Sequence, residues 1–123
     1  MTEERLYTLD EANGELGDLR ERLPRLRVAR DGLIAASERI KEAVASDGGG
    51  VAETGWFAHQ QTLKTELEHL AERGILLRDP EIGLIDFPAE REGRQVYLCW
   101  RLGEDEVAWY HEATAGFGNR KPL

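Results

Sequence analysis

The sequence has little of what usually declares a chemistry. Its 123 residues include one cysteine, Cys99. No internal disulfide can form, and a lone thiol fits a reducing, cytoplasmic setting. Of the three histidines, no two stand at a helical i, i+4 spacing. His59 and His69 lie nearly three helical turns apart, too far to share one ion. Asp86, Glu104, His111 and Glu112 form no metal-ligand pattern either, so no metal and no cofactor is expected. Apolar runs are only a few residues long, against roughly 20 for a bilayer span. The opening Met1-Thr2-Glu3-Glu4-Arg5-Leu6 has no basic segment followed by an apolar one, so no signal peptide is expected. The expectation is a cytoplasmic protein without membrane contact.

Acidic residues outnumber basic ones by 24 to 16, a net charge of −8. A chain this acidic is a poor general binder of nucleic acid. Arg20, Arg22, Arg25, Arg27 and Arg30 make a local basic stretch. Asp18, Glu21 and Asp31 lie among and beside them, which reads as a solvated helix face. Hydrophobic residues make up 41%, enough for one core, and the length suits a single domain over 1–123.

The period of the apolar residues divides the chain into a helical half, about 9–74, a β half, about 75–112, and a tail, 113–123. Thr8 and Glu11 fit a capping box. Leu9, Ala12, Leu16, Leu19 and Leu23 then mark one helix face, weakened by Gly14 and Gly17. Pro24 predicts a break, because it lacks an amide and disfavours helix at Leu23. A second helix carries Leu26, Ala29, Leu33, Ala36, Ile40 and Val44, ended by Ser46-Asp47-Gly48-Gly49-Gly50. A third, from about Glu53 to Arg73, carries Trp56, Gln60, Leu63, Leu67 and Leu70, with Gly74 as its C-terminal cap. The second and third should form an antiparallel hairpin.

From Ile75 the period becomes two. Strands are expected at 75–77, 84–88, 95–102 and 107–112, with turns at Asp79–Gly83, Glu92-Gly93 and Gly103–Glu106. Placing Arg91 opposite Arg94 sets Phe87 against Leu98 and Ile85 against Trp100. Placing Leu102 opposite Val107 sets Trp100 against Trp109 and Leu98 against His111. One face then collects Ile85, Phe87, Val96, Leu98, Trp100, Trp109 and His111. The other collects Asp86, Tyr97, Cys99, Arg101, Tyr110 and Glu112. The fold expected is α+β: a helical hairpin, about three helices in all, packed on one face of a small antiparallel β-meander.

Several runs together resemble a known family. They are Leu6-Tyr7-Thr8-Leu9-Asp10-Glu11-Ala12-Asn13, Asp79-Pro80-Glu81-Ile82-Gly83-Leu84-Ile85-Asp86-Phe87-Pro88-Ala89, Leu98-Cys99-Trp100-Arg101-Leu102-Gly103-Glu104, Trp109-Tyr110-His111-Glu112, Gly116-Phe117 and Arg120-Lys121-Pro122-Leu123. The family comprises small prokaryotic proteins classed as a domain of unknown function. The resemblance covers nearly the whole chain and implies a helical N-terminal half and a compact C-terminal half. It implies no activity and no catalytic residue.

Candidate site residues follow from the register. His111, on the expected core face, is the one candidate acid or base. Trp56, Trp100 and Trp109 could line a pocket for a planar ligand, but Trp100 and Trp109 are expected in the core. Cys99 lies on the opposite face from His111, so no Cys/His dyad is expected. Asp86, Tyr97, Arg101 and Tyr110 share the second face, and Arg120 stands in a Gly116–Lys121 tail that could cradle an anion. Tyr and Arg are enriched at protein interfaces. The leading expectation is therefore a non-catalytic interaction module, a homo-oligomer or a protein that binds another protein. The alternative is a protein or enzyme binding a small anionic molecule in a pocket near His111, where helices meet sheet.

Overall fold

The computed structural model describes residues 5–46, 54–114 and 117–123. Two helices come first, α1 (Leu9–Ser46) and α2 (Trp56–Glu72). A five-stranded antiparallel sheet follows, with strands in chain order: β1 (Leu76–Asp79), β2 (Leu84–Arg91), β3 (Arg94–Arg101), β4 (Trp109–Glu112) and β5 (Lys121–Pro122). The α+β class and the meander are as expected. The three helices are not, and β5 forms within what was expected to be only a tail.

α1 runs unbroken through Pro24. The proline removes one amide, which leaves the Arg20 carbonyl without its partner four residues on. Both residues are exposed, so that oxygen lies on a face open to solvent. Proline inside a helix costs about 3 kcal/mol. Leu16, Leu19, Leu23 and Leu26 on either side are all buried against the sheet, and each contributes roughly 1.5–3 kcal/mol. Packing therefore outweighs the local penalty. The capping box forms as written: the Glu11 amide donates to Thr8 Oγ1 at 3.1 Å and the Thr8 amide to Glu11 Oε1 at 2.9 Å. α2 ends at Gly74 (φ 69°), where the Gly74 amide reaches the Ala71 carbonyl and the Ile75 amide the Leu70 carbonyl. The connection expected at Asp47–Gly50 lies outside the described residues.

The leucines of α1 face the sheet, so other residues join the two helices. Small residues allow close approach: Ala29 and Ala36 are buried, and a Cβ on Gly32 would meet the His59 ring at 2.5 Å. Nearer the sheet, ion pairs take over. Arg73 grips Glu15 through two hydrogen bonds, Arg22 spans Asp18 and buried Glu66, and His69 sits 3.0 Å from Asp18.

In the sheet, Glu92 (φ 54°) and Gly93 (φ 77°) form a two-residue turn of the kind that suits strand twist. The β2–β3 register is the one expected, from Arg91 opposite Arg94 to Ile85 opposite Trp100. Pro88 is tolerated because β1 reaches only to Asp86, leaving that side of β2 open. There the Pro88 carbonyl accepts the Tyr7 amide at 2.7 Å.

The β3–β4 register differs from expectation by one residue. Cys99 pairs with Trp109, Leu98 with Tyr110 and Tyr97 with His111. Val107 does not pair with Leu102. Its amide donates to Asn13 Oδ1 on α1 at 2.7 Å, while the Trp100 indole donates to the Glu104 carbonyl at 3.1 Å. The chain re-enters the sheet only at Trp109, and every β4 side chain changes face. Tyr110 turns to the helix side, packed against the core. Trp109 and His111 turn to the side the helices leave bare. Asn13→Ala should cost about 1–2 kcal/mol by denaturant unfolding, because it strands the part-buried Val107 amide. An unchanged midpoint would show that this bond does not anchor the loop.

Candidate functional site

The sheet face away from the helices carries Leu76 and Arg78 from β1, Asp86 and Pro88 from β2, Tyr97, Cys99 and Arg101 from β3, and Trp109 and His111 from β4. Alternation along each strand puts them there. This outer face is not a plain wet surface. Asp86 is 1% exposed and His111 4%, and Pro88 and Cys99 are also buried.

Asp86 is the centre. Its Oδ2 accepts from Arg78 Nε at 2.8 Å and lies 2.8 Å from His111 Nε2. Its Oδ1 has no hydrogen-bond partner. The other ring nitrogen of His111, Nδ1, lies 2.9 Å from the Glu112 carbonyl oxygen. The rings of Tyr97 and His111 lie 5.4 Å apart, and the Arg78 guanidinium stacks over Tyr97 at 5.1 Å. The Asp86 carboxylate pushes the Arg78 guanidinium further up, chiefly through their hydrogen bond.

A second cluster adjoins the first. Arg120 makes two hydrogen bonds to Glu104, at 3.2 and 2.9 Å, and stacks over Trp109 at 4.7 Å. Glu104 Oε1 also accepts the Arg101 amide at 2.8 Å. Cys99 sits between Asp86 and Arg120. Burial first, then the Asp86 charge, pushes its thiol up to about 11, with Arg120 opposing. A thiol held protonated at neutral pH is a poor nucleophile.

The candidate residues therefore divide. Asp86, Tyr97 and Arg120 come together, joined by His111, Arg78, Cys99, Trp109 and Glu104. Arg101 is on the same face but exposed at its end. Tyr110 leaves it: the register places it with Leu98, under the Arg91 guanidinium at 4.5 Å. His111 is buried, but on the outer face rather than in the helix-side core, and it shares that face with Cys99. Trp109 leaves the core for the same reason. The helix–sheet junction does hold a shallow cavity of about 280 Å³, lined by Tyr7, Leu9, Arg91, Val96, Leu98 and Leu123. It opens on the opposite side of the sheet from His111. The proposed anion cradle rests partly on Gly116, outside the described residues, and its Arg120 is engaged with Glu104. No cluster of three or more metal-ligating residues occurs among the described residues, and no described helix is long and apolar enough to cross a membrane.

Nothing local in the sequence marks Arg78, and Glu104 enters there as a candidate only among residues that form no metal-ligand pattern. A bulge between Leu77 and Asp79 aims Arg78 at Asp86, and Glu104 acts from within a turn.

Residues 5–123 match the family DUF2203, described as an uncharacterized conserved protein. The chain belongs to this family. No curated protein and no solved structure matches it. The runs singled out in the sequence include most of the site: Asp86 and Pro88, Cys99, Arg101 and Glu104, Trp109 and His111, and Arg120.

Because the Cys99 thiol is raised in the folded chain, it contributes stability that is full below its ordinary value near 9.0 and is lost as pH climbs toward about 11. The loss is at most about 3 kcal/mol. Tyr7, also raised by burial, adds to the alkaline loss. Denaturant midpoints of wild type and Cys99→Ala between these values should converge. Parallel curves would sink the assignment.

Proposed function

We propose that this protein is a non-catalytic interaction module that self-associates through the outer sheet face. The observation that carries the reading is the pair of cation–aromatic stacks, Arg78 on Tyr97 and Arg120 on Trp109, set on a sheet face that neither α1 nor α2 covers. Tyr, Trp and Arg are the residues that dominate interface energetics, and each stack holds its long side chain in place before any partner arrives. The face carries both signs, with Arg78, Arg101 and Arg120 beside Glu104, so a second copy can meet it in a self-complementary way.

Catalysis finds less support. Both ring nitrogens of His111 are engaged and the side chain has almost no free surface. The Cys99 thiol is buried and held protonated. An acid, a base or a nucleophile on this face would have to break the cluster to reach a substrate.

Size-exclusion chromatography with light scattering at micromolar concentration should give a dimer. Tyr97→Asp and Arg101→Glu should each weaken it at least about tenfold, without moving the unfolding midpoint by more than about 1 kcal/mol. A wild type that stays monomeric would overturn the reading.

A further inference from the structure

His111 faces an oxygen acceptor at each ring nitrogen: the Asp86 carboxylate at Nε2 and the Glu112 carbonyl at Nδ1. A neutral imidazole has one N–H and one lone pair. In that form one of these contacts would set a lone pair against an oxygen at under 3 Å. Both bonds are made only when the ring carries two protons, or when the carboxyl supplies the second at Nε2. Satisfying both contacts takes one proton more than a neutral ring beside a carboxylate carries.

We propose that this proton is the clasp of the outer face. While it is present, His111 on β4 is tied to Asp86 on β2 across the intervening β3, and Asp86 holds Arg78 against Tyr97. When it leaves to solvent, one of the two bonds is lost and His111 no longer holds Asp86 and its own backbone together. Arg78 keeps its own bond to Asp86, but the His111 ring against which Tyr97 lies is no longer held. Raising the pH should therefore loosen the face that the proposed self-association uses, and the regulation rests on that reading.

The other groups facing the ring bear on its direction. From β1, Arg78 opposes a second positive charge. From β2, Asp86 favours one. From β3, Tyr97 lies against the ring, and Cys99, protonated, adds no charge. Beside β5, Arg120 has its charge answered by Glu104. Asp86 Oδ1 is the one buried side-chain oxygen without a partner among the described residues. It gives a carboxylate already bonded at Oδ2 further capacity to hold the extra proton's charge.

The test is an NMR titration of the wild-type protein from about pH 5.5 to about pH 9, the range histidine spans, with light scattering on the same samples. The ring nitrogens of His111 should both be protonated at the low end, and one should lose its proton in a single step. The Tyr97 ring resonances should move in that same step, and the dimer should weaken about tenfold across it. His111→Gln, which offers Asp86 an uncharged N–H donor, should leave both the Tyr97 signals and the dimer flat over the range. If Tyr97 stays fixed while His111 titrates, or if one ring nitrogen lacks its proton throughout, the clasp is refuted. If Tyr97 follows His111 in a protein that is monomeric at every pH, the clasp stands and self-association falls.

Discussion

A hydrogen bond from a backbone amide to one asparagine decides which side of the sheet the chemistry occupies. Asn13 takes the Val107 amide onto α1, and the Trp100 indole takes the Glu104 carbonyl. Between them these contacts hold the chain away from β3 until Trp109. Strand side chains alternate with a period of two, so a change of one residue at re-entry exchanges the faces of all that follow. Tyr110 goes to the core, and Trp109 and His111 go to Cys99 and Asp86. Without that exchange Asp86 would have no histidine beside it, and a carboxyl 1% exposed would rest on Arg78 alone.

The buried charges are arranged to suit their cost. An isolated carboxylate out of water is unfavourable by several kcal/mol. Asp86 answers this with Arg78 and His111 on one oxygen. Glu66 and Glu15, also buried, are answered by Arg22 and Arg73 between the helices. The acidic excess of the chain is therefore not a uniform property of its surface. An arginine stands beside each of these three buried acids, but within the stretch from Arg20 to Arg30 only Arg22 and Arg25 reach one, Glu66. Arg22 reaches Asp18 and Glu66, and Arg27 and Arg30 reach Glu81 on the turn before β2.

The parts of the fold legible in the sequence are those set by local rules. The Thr8–Glu11 cap, the Gly74 stop and the Glu92-Gly93 turn each depend on residues within a few positions, and each forms as read. The β2–β3 register follows from that turn. The β3–β4 register does not, because its anchor is a side chain 94 residues away in sequence. Pro24 misleads for a related reason: its penalty is local, while the leucines that override it pack against strands far along the chain. The candidate site was legible as a list of residue types on β2 and β3. It was misassigned on β4, where one register error sent His111 and Tyr110 to each other's side.

Stability alone does not explain the outer cluster. Replacing a buried ion pair by apolar residues of similar volume is often neutral or stabilising, and the central strands of this sheet already bury Ile85, Phe87, Val96 and Leu98 on their other face. A sheet with one face packed on helices needs only an ordinary polar surface on the other. Instead this face spends a buried aspartate, an imidazole bonded at both nitrogens and two stacked arginines. Each of these fixes geometry: the carboxylate orients Arg78, Glu104 orients Arg120, and the two stacks fix the planes of Tyr97 and Trp109. Rigid, directional side chains on a face that α1 and α2 leave bare would reduce the entropy lost on meeting a second surface, the gain on which the proposed self-association draws.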